Sequence, residues 1–215
     1  VKRGVIFDLD GVLVSTDELH YRAWKELADR EGIPFDREVN HRLRGVGRME
    51  SLEIILERAP RPYTDDQRRA LAAAKNERYR ELLASLTPSD LLPGAAEIVE
   101  KLRRRGIRTA VASSSRNAPT ILERTGLAGR FDAVVDGGDI TRTKPDPEIF
   151  LLAARRMGLA PAECVVVEDA PAGIEAARRA GMAYYGIGSP RSLPGVERVA
   201  PSLAEVDVVD LVAGA

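Results

Sequence analysis

The sequence has a single cysteine, Cys164, which excludes an internal disulfide and a cysteine zinc cluster and makes a reducing compartment the simplest setting. Any metal must then be held by oxygen. Net charge is almost absent, with 32 basic against 33 acidic side chains for a formal −1, so no overall field would hold a phosphate backbone or an anionic membrane surface. Neither nucleic acid nor membrane is an expected partner. No uncharged apolar run reaches the roughly 18 residues needed to span a bilayer. The apolar stretch after Lys2 and Arg3 is cut short by Asp8 and Asp10, which argues against a signal peptide. A cytoplasmic protein is expected. Lysine is scarce too: only Lys2, Lys25, Lys75, Lys101 and Lys144 among the 32 basic residues. Genome composition explains such a bias, but it makes each lysine worth locating.

What is present is ordinary globular material, 44% hydrophobic and 30% charged over 215 residues, enough for one good core and a smaller companion. Short β-rich runs at 5–9, 107–112, 133–135, 165–167 and 183–187 are bounded by Gly, Pro or polar clusters. Between and after these runs, the segments 94–105, 117–125, 147–157 and 171–180 show helical apolar spacing. This alternation predicts an α/β fold with a doubly wound parallel sheet, in which ligands sit at the carboxyl ends of the strands. Close to a hundred residues separate the first two strands, far more than one crossover helix takes. The stretch shows no strand, but two capping boxes, Ser15-x-x-Glu18 and Thr64-x-x-Gln67, with further helices fitting 36–43 and 49–58 and a break at Pro60-Arg61-Pro62. The expected organisation is an α/β core of residues 1–14 and 91–215 with an all-helical cap subdomain, 15–90, inserted over the strand ends as a lid.

Four clusters fall at carboxyl ends of expected strands. In Asp8-Leu9-Asp10-Gly11 two carboxylates two positions apart can face one small volume, where they need a cation or a shared proton; an all-oxygen set suits Mg²⁺. One can serve as nucleophile and the other as general acid and base. A plain turn at Asp10-Gly11 is the alternative. Glu168-Asp169 follows a buried apolar run, with helix capping by Asp169 as the alternative. Ser113-Ser114-Ser115-Arg116-Asn117 offers hydroxyls and backbone N–H groups to an anion, or is a polar loop. Lys144, held extended by Pro145, is a phosphate ligand or a solvated surface lysine.

In combination and order these motifs, FDLDGV, the strand ending at Ser113, Lys144-Pro145 and VVEDAPAGI, resemble the haloacid dehalogenase superfamily of phosphohydrolases and phosphomutases. The resemblance implies Asp8 as a nucleophile that becomes an aspartyl phosphate, Asp10 as general acid and base, and Ser113 and Lys144 as ligands of the transferring phosphoryl group. It implies one Mg²⁺ held by the Asp8 carboxylate, the Asp10 backbone carbonyl and Asp169, with Glu168 supporting. The cap segments around Ser15–Trp24, Arg44–Leu52 and Lys75–Tyr79 are similar to those of β-phosphoglucomutases. That similarity implies a second phosphate site between Arg48 on the cap and Ser115, Arg116 and Asn117 on the core beside Ser114, and sugar contacts from His20 and Lys75. Without it, His20 reads as an ordinary helix histidine and Lys75 as part of a solvated face. Trp24 is assigned to cap packing. Arginine at 116 and 44, where lysine is common, and serine at 15, where aspartate is frequent, depart from the pattern. The expected ligands are a small sugar phosphate and β-glucose 1,6-bisphosphate as intermediate and primer, and the expected state is a monomer. A phosphatase on small sugar phosphates is the competing expectation.

Overall fold

The computed structural model describes residues 1–43 and 46–213; Arg44, one of the departures noted above, lies outside them. Six strands form one parallel sheet in the order β3-β2-β1-β4-β5-β6. They are β1 (Gly4–Phe7), β2 (Arg108–Ala112), β3 (Ala133–Val135), β4 (Cys164–Glu168), β5 (Ala183–Ile187) and β6 (Val199–Ala200). Helices α5 (Ala95–Arg104), α6 (Ala118–Arg124), α7 (Glu148–Arg156), α8 (Pro171–Arg179) and α9 (Val208–Ala213) accompany them. The sheet is buried on both faces, which is why β1 and β4 read as unbroken apolar runs. Alternate residues serve opposite sides: Val5, Phe7, Val165 and Val167 enter one hydrophobic cluster, Ile6 and Val166 the other.

Between β1 and α5 the chain inserts α1 (Asp17–Glu31), α2 (Arg37–His41), α3 (Arg48–Leu56) and α4 (Asp65–Leu83). Trp24, Leu27, Phe35, Leu52, Ile55 and Tyr63 give these helices a cluster of their own. The capping box at the start of α4 is formed: Gln67 N–H donates to Thr64 Oγ1 at 3.3 Å and Thr64 N–H to Gln67 Oε1 at 3.0 Å. The box expected at Ser15 is not. α1 starts one residue later, with Thr16 as N-cap and no side-chain cap bond, because the Thr16 hydroxyl donates to Asp10 Oδ1 instead. The insert joins the core through a small backbone-bonded neck. Val14 bridges both Asp10 and Leu91, and Leu92 N–H donates to Leu13 O at 2.9 Å.

The first strand ends at Phe7 rather than at Leu9. Its register, Phe7 against Val111 on β2 and Val167 on β4, puts Asp8 just past the last paired residue and level with Glu168. Two elements have no counterpart in the sequence reading: the two-residue β6 and the six-residue α9. Both are too short to show a period.

Candidate active site

β1 lies at the centre of the sheet, where crossovers depart in opposite directions, and the loops after β1, β2 and β4 converge there. They line a cavity of about 510 Å³ that the helical insert covers. Asp8, Asp10, Ser113, Ser114, Ser115, Asn117 and Asp169 reach it from the core, and His20, Arg48 and Lys75 from the insert. Lys144, Glu168 and Arg116 do not line it. Lys144 and Glu168 stand buried behind Asp8, whereas Arg116 is exposed.

Lys144 Nζ donates to Asp8 Oδ1, and lies 3.6 Å from Glu168 Oε2 and 3.4 Å from the Ala112 carbonyl. At 4% exposure it is no surface lysine. Burial opposes its charge, but the carboxylates of Asp8 and Glu168 outweigh that and hold its pKa above the usual range. Glu168 is fully buried and neither of its carboxylate oxygens accepts a hydrogen bond. Burial and repulsion from Asp8 push it well above the normal carboxylate range, with Lys144 only partly opposing. Asp169 does not cap α8, whose N-cap is Ala170. One oxygen each of Asp8, Glu168 and Asp169 comes within 4.8 Å of the others.

Among the described residues three carboxyl groups crowd around one buried ammonium, and the raised pKa of Glu168 reflects burial and the repulsion between them, which a divalent cation would relieve. The donors are all hard oxygens, and the orphaned Glu168 oxygens sit where a cation could satisfy them, so the residues fit Mg²⁺. Two glycines make room for this cluster. A Cβ on Gly11, whose φ is +87°, would lie 2.1 Å from Asp169 Oδ2; one on Gly173 would lie 2.1 Å from Glu168 Cδ.

Asp10 is held by Thr16, and burial raises its pKa to about 7 despite that hydrogen bond, with Asp8 adding to the rise. Such a carboxyl can both give and accept a proton near neutrality. The serine loop is partly the polar turn of the bland alternative: Ser115 N–H donates to Ser113 Oγ at 3.1 Å and Asn117 N–H to Ser115 Oγ at 3.2 Å. Ser114 Oγ, by contrast, is buried without a partner.

On the insert, Lys75 is 3% exposed, which excludes the solvated face. Its ammonium contacts His20 Nδ1 at 2.8 Å. Burial first, then the charge of Arg48, lowers its pKa to about 7, against the attraction of Asp10. Burial and the cations of Lys75 and Arg48 keep the His20 imidazole well below its usual value. Arg48 is lowered by burial and by Arg116, so the two guanidinium groups repel across the cleft, and no carboxylate pairs with Arg48 among the described residues. Besides the Thr16–Asp10 contact, Asn117 Nδ2 donates to Asn76 Oδ1 at 3.0 Å and Thr143 Oγ1 to Glu50 Oε1 at 3.2 Å between core and insert.

The haloacid dehalogenase-like hydrolase family profile matches residues 2–181. The chain belongs to this family. It is an enzyme fold whose members include both mutases and phosphatases among the relatives of this chain. The β-phosphoglucomutase of Bacillus subtilis is 45% identical over 92% of this chain and 88% of its own length. A phosphorylated carbohydrates phosphatase of Thermotoga maritima is 34% identical over 85% and 84%. The solved structure of a β-phosphoglucomutase from Clostridium difficile superposes with a TM-score of 0.92 at 35% identity, covering 97% of this chain and 94% of that one. The parallel sheet with its inserted helices is therefore the family fold. Among described residues no helix is long and apolar enough to cross a membrane.

Sequence reasoning missed Thr16, Ser51, Asn76 and Tyr79 as cavity or hinge residues, and gave Trp24 a packing role only. Trp24 does pack in the insert's cluster, but it also lines the cavity and lies under the Lys75 ammonium, 4.7 Å from ring centre to Nζ. A signal for part of this was present. Ala72, Lys75, Tyr79 and Leu82 recur at helical spacing on the buried side of α4, so a lysine interrupts an otherwise apolar stripe.

Proposed function

We propose that the protein is a β-phosphoglucomutase, interconverting β-D-glucose 1-phosphate and glucose 6-phosphate through an aspartyl phosphate and β-glucose 1,6-bisphosphate. The observation that carries this reading is Arg48, an arginine of the insert that lines the same cavity as Asp8 and has no acidic partner among described residues. Together with Ser115 and Asn117 in the same cavity, and with Arg116 outside it but near enough to act on Arg48, it supplies a grip for a second phosphate that hydrolysis of a monophosphate does not need. The similarity to the Bacillus subtilis mutase over most of both chains supports it.

In this reading residues 1–14 and 91–215 form the catalytic core and 15–90 the cap. Asp8 attacks phosphorus in line and becomes the aspartyl phosphate, while Ser113 and Lys144 bind the transferring oxygens. Lys144 is preset for this, since its charge is already held beside Asp8 by buried carboxylates. Asp10, with a pKa of about 7, turns from Thr16 to protonate the leaving oxygen and to take the proton of the incoming hydroxyl. His20, Lys75 and Ser114 orient the sugar, and the cap excludes water while the bisphosphate reverses its direction. Mg²⁺, one per chain, would be held by Asp8, Asp169 and the Asp10 carbonyl with Glu168 behind, and would supply charge neutralisation at the phosphoryl oxygens.

A sugar phosphate phosphatase is the second reading, favoured by the similarity to the Thermotoga maritima enzyme. ³¹P NMR of the protein with Mg²⁺, β-glucose 1-phosphate and a trace of β-glucose 1,6-bisphosphate separates the two. Growth of glucose 6-phosphate without matching inorganic phosphate is expected; inorganic phosphate alone would make the protein a phosphatase. Asp8→Asn should abolish phosphoenzyme formation in a folded protein, and turnover retained at wild-type level would remove Asp8 from the nucleophile's role.

A further inference from the structure

Lys75 is unusual in how its charge is accommodated. A buried ammonium is ordinarily paired with a carboxylate, yet among described residues none lies within ion-pair distance of Lys75 Nζ. The groups facing it are aromatic or cationic. Trp24 of α1 and Tyr79 of α4 present ring faces at 4.7 and 4.6 Å. His20 of α1 presents Nδ1 at 2.8 Å. Arg48 of α3 acts on it as a like charge and Asp10 as a distant opposite one. Tyr79 is shared by both members of the pair, because the His20 ring also stacks on it with centres 4.0 Å apart and planes 24° from parallel. Cation–π attraction is strongest where water is excluded, and Trp24 and Tyr79 are 2% and 0% exposed.

We propose that Trp24 and Tyr79 are positioning residues, two walls of an aromatic cage that holds Lys75 against His20 Nδ1 and so fixes His20 as the tautomer carrying its proton on Nε2. An ammonium has donors only, so when Lys75 is charged, Nδ1 must accept. The neutral imidazole is left with a single donor, Nε2–H, and the site gains a fixed pair of donors, Nε2–H and the remaining Lys75 N–H groups. A ligand rich in hydroxyl oxygens matches that pair. A carboxylate in place of the cage would compete with such oxygens for the lysine, whereas ring faces leave its N–H groups for the ligand. The Tyr79 hydroxyl makes no hydrogen bond to Lys75 or His20, so its ring face alone serves the cage.

The chain has two histidines, His20 and His41, so ¹⁵N-histidine labelling reads the tautomer directly in the ligand-free protein. At pH 6, where Lys75 carries its charge, the expected pattern for His20 is a protonated Nε2 and a bare Nδ1. Tyr79→Phe and Trp24→Phe, which keep a ring, should retain the pattern, while Lys75→Met should lose the single tautomer. Tyr79→Leu and Trp24→Leu should lose it too, and the ring-keeping variants cover the case in which these do not fold. His20 protonated on Nδ1 in the parent protein, or an unaltered tautomer in Lys75→Met, overturns the proposal. The kinetic arm rests on the sugar phosphate reading above. There Lys75→Met should raise KM for β-glucose 1-phosphate about tenfold, the scale of one desolvated cation contact. The NMR pattern decides the cage whatever the turnover, so failure of the cage and failure of the functional reading are distinguishable.

Discussion

Two residues carry consequences out of proportion to their size. Gly11 occupies a left-handed backbone conformation and its missing Cβ is the space that Asp169 Oδ2 fills. Gly11→Ala therefore combines backbone strain of about 1 kcal/mol with displacement of a carboxylate from the acidic cluster. Mg²⁺ affinity, followed by titration calorimetry, should fall by about 10- to 100-fold, the range seen when a group that orients a metal ligand is lost. Lys75 makes the second prediction. Its folded pKa, about 7, lies below its ordinary value of 10.5, so the unfolded chain binds more protons between those limits and stability contributed by this residue rises with pH across that window. Below about pH 7 the full cost remains. Lys75→Met should thus stabilise the protein by up to about 4 kcal/mol at pH 6 and by much less at pH 10. Urea midpoints at both pH values measure it, and an equal gain at both would contradict the assignment. The same residue shows the limit of reading a sequence. Asp8, Asp10 and Asp169 could be singled out because each follows a strand within three residues, and Lys144, nine residues past β3, because Pro145 follows it, whereas Lys75 became interpretable only once α1 supplied Trp24 and His20 from fifty residues away.

At the scale of elements, the capping box expected at α4 is formed and the one expected at α1 is not. Both show the same pattern of a hydroxyl followed three residues later by Glu or Gln, but near α1 a neighbouring carboxylate, Asp10, takes the hydroxyl of Thr16 and shifts the start. Local sequence does not reveal that competition. Thr64→Ala should cost about 1 kcal/mol, and since Thr64 caps a helix of the insert, the loss should appear as a Tm lower by about 2–4 °C with the sheet unaffected. The strands were found because burial on both faces gives continuous apolar runs. Their ends were placed less well, since hydrogen-bonding register, and not composition, stops β1 at Phe7.

At the scale of the molecule, the insert meets the core at Asn76–Asn117 and Glu50–Thr143. The second contact touches the residue before Lys144, so the insert is hydrogen-bonded to the segment that carries that lysine. Gly47 permits the approach, because a Cβ there would lie 2.7 Å from Thr143 Cγ2. On the mutase reading, Gly47→Ala should hold the insert slightly apart from the core and raise the share of phosphoryl groups lost to water relative to transfer to sugar, by several-fold in a ³¹P assay of phosphate released per glucose 6-phosphate formed. An unchanged ratio would show that this contact does not seal the site.

The neck gives the architecture one more property. Because Val14 exchanges backbone hydrogen bonds with Leu9 and Gly11 on one side, while its neighbours Leu13 and Ser15 bond Leu92 and Asp90 on the other, the two places where the chain leaves and re-enters the core are already neighbours. The register of β1 against β2 and β4 is set by pairing within the core alone. An interchangeable module on a fixed socket can diverge in sequence while the phosphoryl chemistry beneath it stays the same, a modularity consistent with a mutase and a sugar phosphatase standing together among the relatives of this chain.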